Sequence, residues 1–280
     1  MTRYPAIALA LLAVGSAHAA EKTLERTFAV SPGGALIVDA DSASVQVSGA
    51  ATNQVTVHII AHGSDKDLAA TTLEALQKDN GVTVTMRRNE KGSGFWSNSW
   101  NGDARIEITV PQQYGIDIHT SGGDVSLAGT TGSAALHTSG GEISARNVNG
   151  PVEAKTSGGG IHLDTIHGDV DANTSGGDVR LLNVDGKIRG QTSGGDMQCS
   201  LAGTNRGILL TTSGGSIGLT LPQAVTGSIE ASTSGGEISS QLPMLTSEQR
   251  DGYTKASING GGQPINVRTS GGDISLRAAN

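Results

Sequence analysis

The sequence is poor in the residues that most often stabilise a protein with a small core. Its 280 residues include a single cysteine, Cys199, and seven prolines, and aromatic residues make up only 2% of the chain. A single cysteine excludes an internal disulfide framework, and the low proline content excludes a collagen-like chain. The fold must therefore be stabilised in another way.

Clusters of basic residues and long apolar runs are also lacking. The 19 Lys and Arg are outnumbered by 26 Asp and Glu, so the formal net charge is −7. This balance argues against nucleic acid as a partner, because phosphate binding needs clustered Lys and Arg. No apolar run is long enough to predict a transmembrane segment.

The first residues have the pattern of a secretory signal. A short apolar run, Ala6–Val14, follows Arg3, and Ala17-His18-Ala19 then supplies the small residues that a signal peptidase recognises. We predict that residues 1–19 are a signal peptide, and that the mature protein is exported to the periplasm, the cell surface or the medium.

Glycine, in contrast, is abundant, with 41 residues, and much of it lies in a repeated motif. The motif Thr-Ser-Gly-Gly begins at Thr120, Thr138, Thr156, Thr174, Thr192, Thr212, Thr233 and Thr269. The first four intervals are 18 residues, the next two are 20 and 21, and the last is 36. Such a period is typical of a solenoid, in which each repeat is one coil.

Apolar residues occupy fixed positions around each threonine. They stand four and two residues before it and five and seven after it, as Val170, Ala172, Val179 and Leu181 do around Thr174, and the residues between them vary. A spacing of two predicts strands with one buried face. We therefore predict an all-β fold, a β-solenoid of about eight 18-residue coils over residues 116–280. A third short side per coil is left open.

The Ser-Gly-Gly segment is expected to form a sharp corner in each coil. Glycine there would allow a positive φ and a close approach of neighbouring backbones. The threonine should point inward and form a hydroxyl ladder, so an exposed ice-binding array is not expected. Cys199 replaces a leucine in an inward column and is expected to be a buried, unreactive side chain.

The ends of a solenoid expose unpaired backbone and need covers. We predict that residues 20–115 form an N-terminal β-rich capping module with one short helix. The leucines within Asp65–Lys78 predict that helix, and Asn80-Gly81 should stop it. Near the other end, Gln241–Ser257 replaces one motif-bearing coil. Its sequence fits either a cap over the final coil or an exposed functional loop.

The repeats resemble a known bacterial family. The copies of Thr-Ser-Gly-Gly-Asp/Glu-Val/Ile, together with the closing Ile258–Pro264 and the last copy at Thr269–Ile274, are similar to the putative-adhesin family of β-strand-repeat domains, whose function is unknown. The resemblance is strongest over residues 116–280. It implies a β-solenoid-like fold, and it implies no catalytic residues.

Two polar features contain residue types that can bind metal ions. Acidic residues follow Gly-Gly in most coils, at Asp124, Glu142, Asp178, Asp196, Glu237 and Asp273. They could bind calcium, but their spacing differs from that of calcium-binding solenoid repeats, so solvated acids that accept backbone N–H groups are the favoured interpretation. His119 and His137 share an outward position near Asp117 and are interpreted as polar surface. The sequence thus predicts no metal ligands and no cofactor.

The segment Asn89–Asp103 concentrates aromatic residues in a run of Gly, Ser and Asn. Phe95, Trp96 and Trp100 could anchor a sugar or a protein partner, or they could fold back and plug the end of the solenoid. Both interpretations stay open.

The predicted function is that of a non-catalytic, exported cell-envelope protein, either structural or adhesin-like. Its partner would be an envelope glycan or protein, without nucleic acid. The alternatives are a polysaccharide-acting β-helix enzyme, which would need a localised acid/base pair, and a calcium-stabilised solenoid.

Overall fold

A computed structural model describes residues 20–88 and 102–279 of the chain. In these residues the fold is almost entirely β, with 25 strands and one short helix. The N-terminal elements are β1 (Ala20–Ala29), β2 (Gly34–Ala40), β3 (Ser44–Ala50), β4 (Gln54–Gly63), α1 (Asp65–Ala70), β5 (Thr71–Lys78), β6 (Gly81–Arg88) and β7 (Asp103–Pro111).

Short strands separated by the corners follow. The central strands are β8 (Tyr114–Thr120), β9 (Val125–Ala128), β10 (Ala134–His137), β11 (Ile143–Asn149), β12 (Val152–Lys155), β13 (Ile161–His167), β14 (Val170–Asn173), β15 (Val179–Asp185), β16 (Ile188–Gln191), β17 (Met197–Leu201), β18 (Ile208–Thr211) and β19 (Ile217–Leu221). The last are β20 (Gly227–Ser232), β21 (Ile238–Ser240), β22 (Leu245–Arg250), β23 (Tyr253–Ile258), β24 (Pro264–Arg268) and β25 (Ile274–Ala278).

The strands form two long sheets, and the chain passes between them at each corner. We call them the first and the second sheet, with the orders β1-β4-β7-β3-β9-β11-β13-β15-β17-β19-β25-β21 and β22-β23-β20-β24-β18-β16-β14-β12-β10-β8-β2-β6-β5. One strand from each sheet makes a layer. Pairing between successive layers is parallel and in register, as Ile143 with Ile161 and Val152 with Val170 illustrate.

The apolar columns predicted from the repeat do face the interior. Val179 and Leu181 of β15 are fully buried, as are Ile188 of β16 and Ile161 of β13, whereas Arg180 between the first two is exposed. A fully buried Val, Leu or Ile side chain stabilises the fold by about 1.5–3 kcal/mol. Because each layer packs on the next, the apolar columns together form one continuous hydrophobic core through the stack.

The third side of the coil is a bend within the strands of the first sheet. Val148, Ile166 and Val184 form a further buried apolar column towards the ends of β11, β13 and β15. The residue before each of them has a left-handed backbone, with φ of 53° at Asn147, 57° at Thr165 and 53° at Asn183. This conformation turns the next side chain back into the core.

The motif threonines are buried and form the predicted ladder. In seven layers the threonine hydroxyl donates to the carbonyl oxygen of the second motif glycine in the neighbouring layer, over 2.7–3.0 Å. In several layers the same oxygen accepts the N–H of the second glycine of its own corner, as in the contact from Gly141 to Thr138. These bonds satisfy polar groups that the corner would otherwise bury without partners.

Close approach, and not positive φ, explains the second glycine of each corner. None of the motif glycines has a left-handed φ, so that part of the expectation was wrong. A Cβ on Gly159, however, would lie under 3.0 Å from the carbonyl oxygen of Gly141, and its equivalents in the other layers meet the same obstacle. The first glycine is less restricted, since its Cβ would stand 3.0–3.7 Å from the nearest atom.

Two layers without the motif extend the stack at the N-terminal end. The layer of β2 and β3 lies between that of β8 and β9 and an outer layer of β6 and β7. Antiparallel strands then cover the end: β4 and β1 follow β7, and β5 follows β6.

The predicted helix over Asp65–Lys78 was wrong in extent. Helix α1 ends at Ala70, and Ser64 is its N-cap, accepting the N–H of Asp67. Thr71–Lys78 is strand β5 instead. Thr71 and Ala75 are buried on one face of this strand, and the strand pairs with the otherwise free edge of β6. Leu76, which a helix would have shared with the apolar face, is exposed.

The C-terminal end departs from a simple sequential solenoid. Strands β24 and β25 are inserted between the layer of β18 and β19 and that of β20 and β21. The hydroxyl bonds have the same order, since Thr269 donates to Gly215 and Thr233 donates to Gly272. The excursion Gln241–Ser257 contributes the hairpin of β22 and β23, which covers β20. It is therefore a cap, over the coil of Thr233 and not over the last coil in sequence.

The two glycines of one corner should respond differently to alanine. Gly159→Ala forces the stacked backbones apart and should lower the free energy of unfolding by about 1–3 kcal/mol, the usual cost of overpacking. Its neighbour Gly158, whose Cβ would stand 3.4 Å from the Gly140 carbonyl, is the matched control and should change it by less than about 1 kcal/mol. Urea unfolding followed by circular dichroism measures both. Equal effects would refute the close-approach explanation.

The left-handed column predicts a stabilising substitution. Thr165 has a β-branched side chain at φ 57°, where adjacent layers have Asn147 and Asn183. Thr165→Asn should raise the free energy of unfolding by about 1 kcal/mol, because asparagine tolerates this conformation better. The reverse change, Asn147→Thr, should lower it by a similar amount. Thermal unfolding measures both variants. A lower melting temperature for Thr165→Asn than for the wild type would contradict this explanation.

Candidate functional surface

The outward positions of the layers form two long faces. On the second sheet, residues from successive layers line an open groove of about 550 Å³, whose charged side chains are Asp117, Glu153, Asp169, Asp171, Lys187 and Arg189. On the first sheet, a second open groove is lined mainly by polar and charged residues. Repetition thus gives extended surfaces with modest depressions.

The row of acids after Gly-Gly is engaged by the backbone of the next layer. Asp124 Oδ1 accepts the N–H of Glu142 at 2.8 Å, Asp178 Oδ1 that of Asp196 at 2.9 Å, and Asp273 Oδ1 that of Glu237 at 2.9 Å. These bonds continue the ladder outside the core, as the sequence interpretation favoured. Among the described residues, no group of three or more His, Cys, Asp or Glu side chains is arranged to hold a metal ion.

His119 and His137 lie one above the other on the second sheet. Their ring centroids are 4.7 Å apart, and the two Nδ1 atoms are separated by 3.3 Å. Nε2 of His119 is 3.0 Å from Asp117 Oδ1, and Nε2 of His137 is 3.4 Å from Glu153 Oε1. The repeat alone predicts that the two histidines share one outward column. It does not predict the distance between their rings or the contact of His137 with Glu153.

Glu153 also pairs with Lys155 at the same place. The Lys155 ammonium beside Glu153 holds the pKa of that carboxyl below its ordinary value. A carboxylate stabilised in its charged form suits an electrostatic or hydrogen-bond acceptor role better than that of a general acid.

Cys199 is buried in its inward column, as predicted. Burial raises the pKa of its thiol to about 12, so the reactive thiolate is not formed near neutral pH. This side chain fills space in the core and offers no nucleophile.

The aromatic residues Phe95, Trp96 and Trp100 lie outside the described residues. The segment that contains them connects β6 with β7, in the terminal motif-less layer. In the repeats, the Ser-Gly-Gly corner likewise links a strand of the second sheet to the next strand of the first sheet in the chain.

An ion-pair cluster that the sequence did not predict lies where this segment begins. Arg87 of β6 contacts Asp39, and its Nη1 donates to Asp41 Oδ1 at 2.7 Å. Burial acts to raise the pKa of Asp41, but the N–H of Arg88 and the Arg87 guanidinium outweigh it and lower that pKa. The cluster ties β6 to β2 just before the aromatic segment. No sequence signal marked it, because the two strands are far apart in the chain.

The one helix of the described residues, α1, has only 6 residues and is too short to span a bilayer.

Comparison with solved structures supports the fold. A putative adhesin from Bacteroides fragilis shares 13% identity, with 92% of this chain and 97% of that chain covered and a TM-score of 0.51. A putative lipid binding protein from Parabacteroides distasonis (14% identity, 92% and 97% covered) and a putative adhesin from Parabacteroides merdae (10%, 93% and 96%) have TM-scores of 0.40 and 0.33, too low to carry an argument.

No curated protein matches the chain. A family model, in contrast, matches residues 35–277, which include all eight motif copies and the motif-less layers before them. This match confirms the resemblance to a putative-adhesin family of unknown function that the sequence predicts. The chain belongs to the Toastrack DUF4097 family.

Proposed function

We propose that this protein is a non-catalytic, exported component of the cell envelope, with a structural or adhesin-like binding role. The observation that carries the proposal is the regular stack, whose outward columns form long faces of small and charged residues. Extended faces of this kind suit contact with an extended partner, such as an envelope glycan or another envelope protein. A solved structure with this fold, from Bacteroides fragilis, is itself described as a putative adhesin.

Export is the part of the proposal that rests on sequence alone. Residues 1–19 would be removed as a signal peptide, leaving a β-rich capping module over 20–115 and the motif repeats over 116–280 in the periplasm or at the cell surface. The threonine ladder and the buried columns would stabilise such a chain without disulfides.

The aromatic segment is the proposed point of contact with the partner. Tryptophan gives a large apolar area and a polar N–H, and it is enriched among the residues that dominate binding energy. The Arg87 cluster supports this proposal, because it fixes the end of β6, the strand that precedes the segment in the chain.

A polysaccharide-cleaving enzyme is the alternative of another class. Such an enzyme needs one carboxyl group with a raised pKa and a second, ionised one across the scissile bond. In the second-sheet groove, Glu153 has a lowered pKa and Asp171 accepts a hydrogen bond from Asn173. These carboxylates are held as acceptors, which favours the binding role.

A calcium-stabilised solenoid is the third candidate. The acids after Gly-Gly accept backbone N–H groups, so part of their capacity as ligands is already used. This arrangement favours a direct structural role for the row.

Removal of the two tryptophans should weaken binding to the envelope. We expect Trp96→Ala/Trp100→Ala to reduce retention on purified envelope by about tenfold or more, in keeping with the loss of buried aromatic anchors. The assay is co-sedimentation of labelled protein, with circular dichroism to confirm the fold.

Leu245→Ser provides the matched control, because Leu245 is a large apolar side chain that is 76% exposed on the capping hairpin. Its removal should leave retention unchanged. Unchanged retention of the tryptophan variant would show that the aromatic segment is not the point of contact. A wild-type protein that is not retained at all would overturn the binding role.

A further inference from the structure

The stacking brings two imidazole rings together on the outer face of the second sheet. His119 is the last but one residue of β8, His137 occupies the equivalent place in β10, and the parallel register pairs the two directly. Strands in a sheet lie about 4.8 Å apart, so two side chains in one column are held as neighbours by the backbone. The pair is therefore fixed by the fold and does not depend on a flexible loop.

The separation of the ring nitrogens matches that of two ligands on one ion. The Nδ1 atoms are 3.3 Å apart. Two imidazole nitrogens bound to a tetrahedral ion at the usual metal–nitrogen distance of about 2.0–2.1 Å are separated by about 3.3–3.4 Å. The separation of the two ring nitrogens is thus suited to a shared cation.

Carboxylates stand behind both rings. Asp117 and Glu153 lie beside the Nε2 atoms at 3.0 and 3.4 Å, so each favours the tautomer that carries its proton on Nε2 and leaves Nδ1 free. A carboxylate behind a histidine is the usual outer partner of a metal-ligating imidazole. Two Nδ1 atoms without protons cannot hydrogen-bond to each other, and a cation between them removes that conflict.

The same cluster also contains unsatisfied polar atoms. Three buried side-chain atoms of the described residues have no hydrogen-bond partner, and two of them, Asp117 Oδ1 and His137 Nε2, belong here. Small rotations of the rings on binding an ion would align these atoms with their neighbours. The charged groups around the pair are Asp117, Glu153, Lys155 and, next to His119 on β2, Asp39.

We propose that His119 and His137 bind a divalent transition-metal ion of the zinc, copper or nickel class through their Nδ1 atoms. Asp117 and Glu153 orient the rings, and water or a carboxylate of an incoming partner completes the coordination. Two protein ligands agree with the lack of any larger ligand group in the described residues. Such an ion is exchangeable, and its open positions face solvent. The proposal is independent of the envelope-binding role.

The test uses the full mature chain without an affinity tag, treated with chelator and dialysed. Calorimetric titration with ZnCl₂ should show one site per chain that His119→Ala or His137→Ala weakens at least tenfold. With Cu²⁺, electron paramagnetic resonance should show two coordinated nitrogens in the wild type and one in either variant. Asp117→Asn should weaken binding by about 10-fold, as expected for an outer partner.

Two other imidazoles serve as controls. His162 is a lone outward histidine on the first sheet, and His62 contacts Glu21 and Asp103 without a second ring. His162→Ala and His62→Ala should retain the site and its two-nitrogen spectrum. A wild type with no zinc or copper site, a site that survives in the His119→Ala/His137→Ala variant, or a one-nitrogen spectrum in the wild type would overturn the proposal.

Discussion

At seven of the eight corners the carbonyl oxygen of the second motif glycine accepts the threonine hydroxyl of the next layer, at a place where no Cβ would fit. This contact fixes the height and the register of successive layers together. From the register follow the buried apolar columns inside and the matched columns of polar residues outside. A core this narrow, without disulfides, is stable because each layer satisfies the polar groups of its neighbour.

Much of the fold could be predicted from the repeat, because the period and the alternation report directly on strands that face a common interior. Val179 and Thr174 are buried where the alignment put them. The order of the layers at the C-terminal end could not be predicted, since Thr233 and Thr269 have the same local sequence and either could stack on Thr212. The strand at Thr71–Lys78 was missed for a similar reason: its pairing with the free edge of β6 outweighs a local pattern that favours a helix.

The surface was less predictable than the core, because outward residues interact across layers and leave no periodic signal. The repeat puts His119 and His137 in one column but does not give the contact of their rings, and it gives no sign of the Arg87 cluster, whose strands β2 and β6 are far apart in the chain. Membership of the Toastrack DUF4097 family agrees with the stack and leaves the activity open. The binding role that we propose would make use of the extended faces, and the imidazole pair adds one localised chemical feature to them.

The inserted C-terminal layer tests the stacking account most directly. Gly218 is paired with Ser275 on β25, and Ser275 in turn with Ser239 on β21. Adjacent strands lie about 4.8 Å apart, within the range of a disulfide, whereas alternate strands at about 9.6 Å are beyond it. Oxidation of Gly218→Cys/Ser275→Cys should give the cross-link, detected by peptide mass spectrometry, and Gly218→Cys/Ser239→Cys should not. A cross-link in the second variant and none in the first would show that the layers stack in chain order and contradict the account.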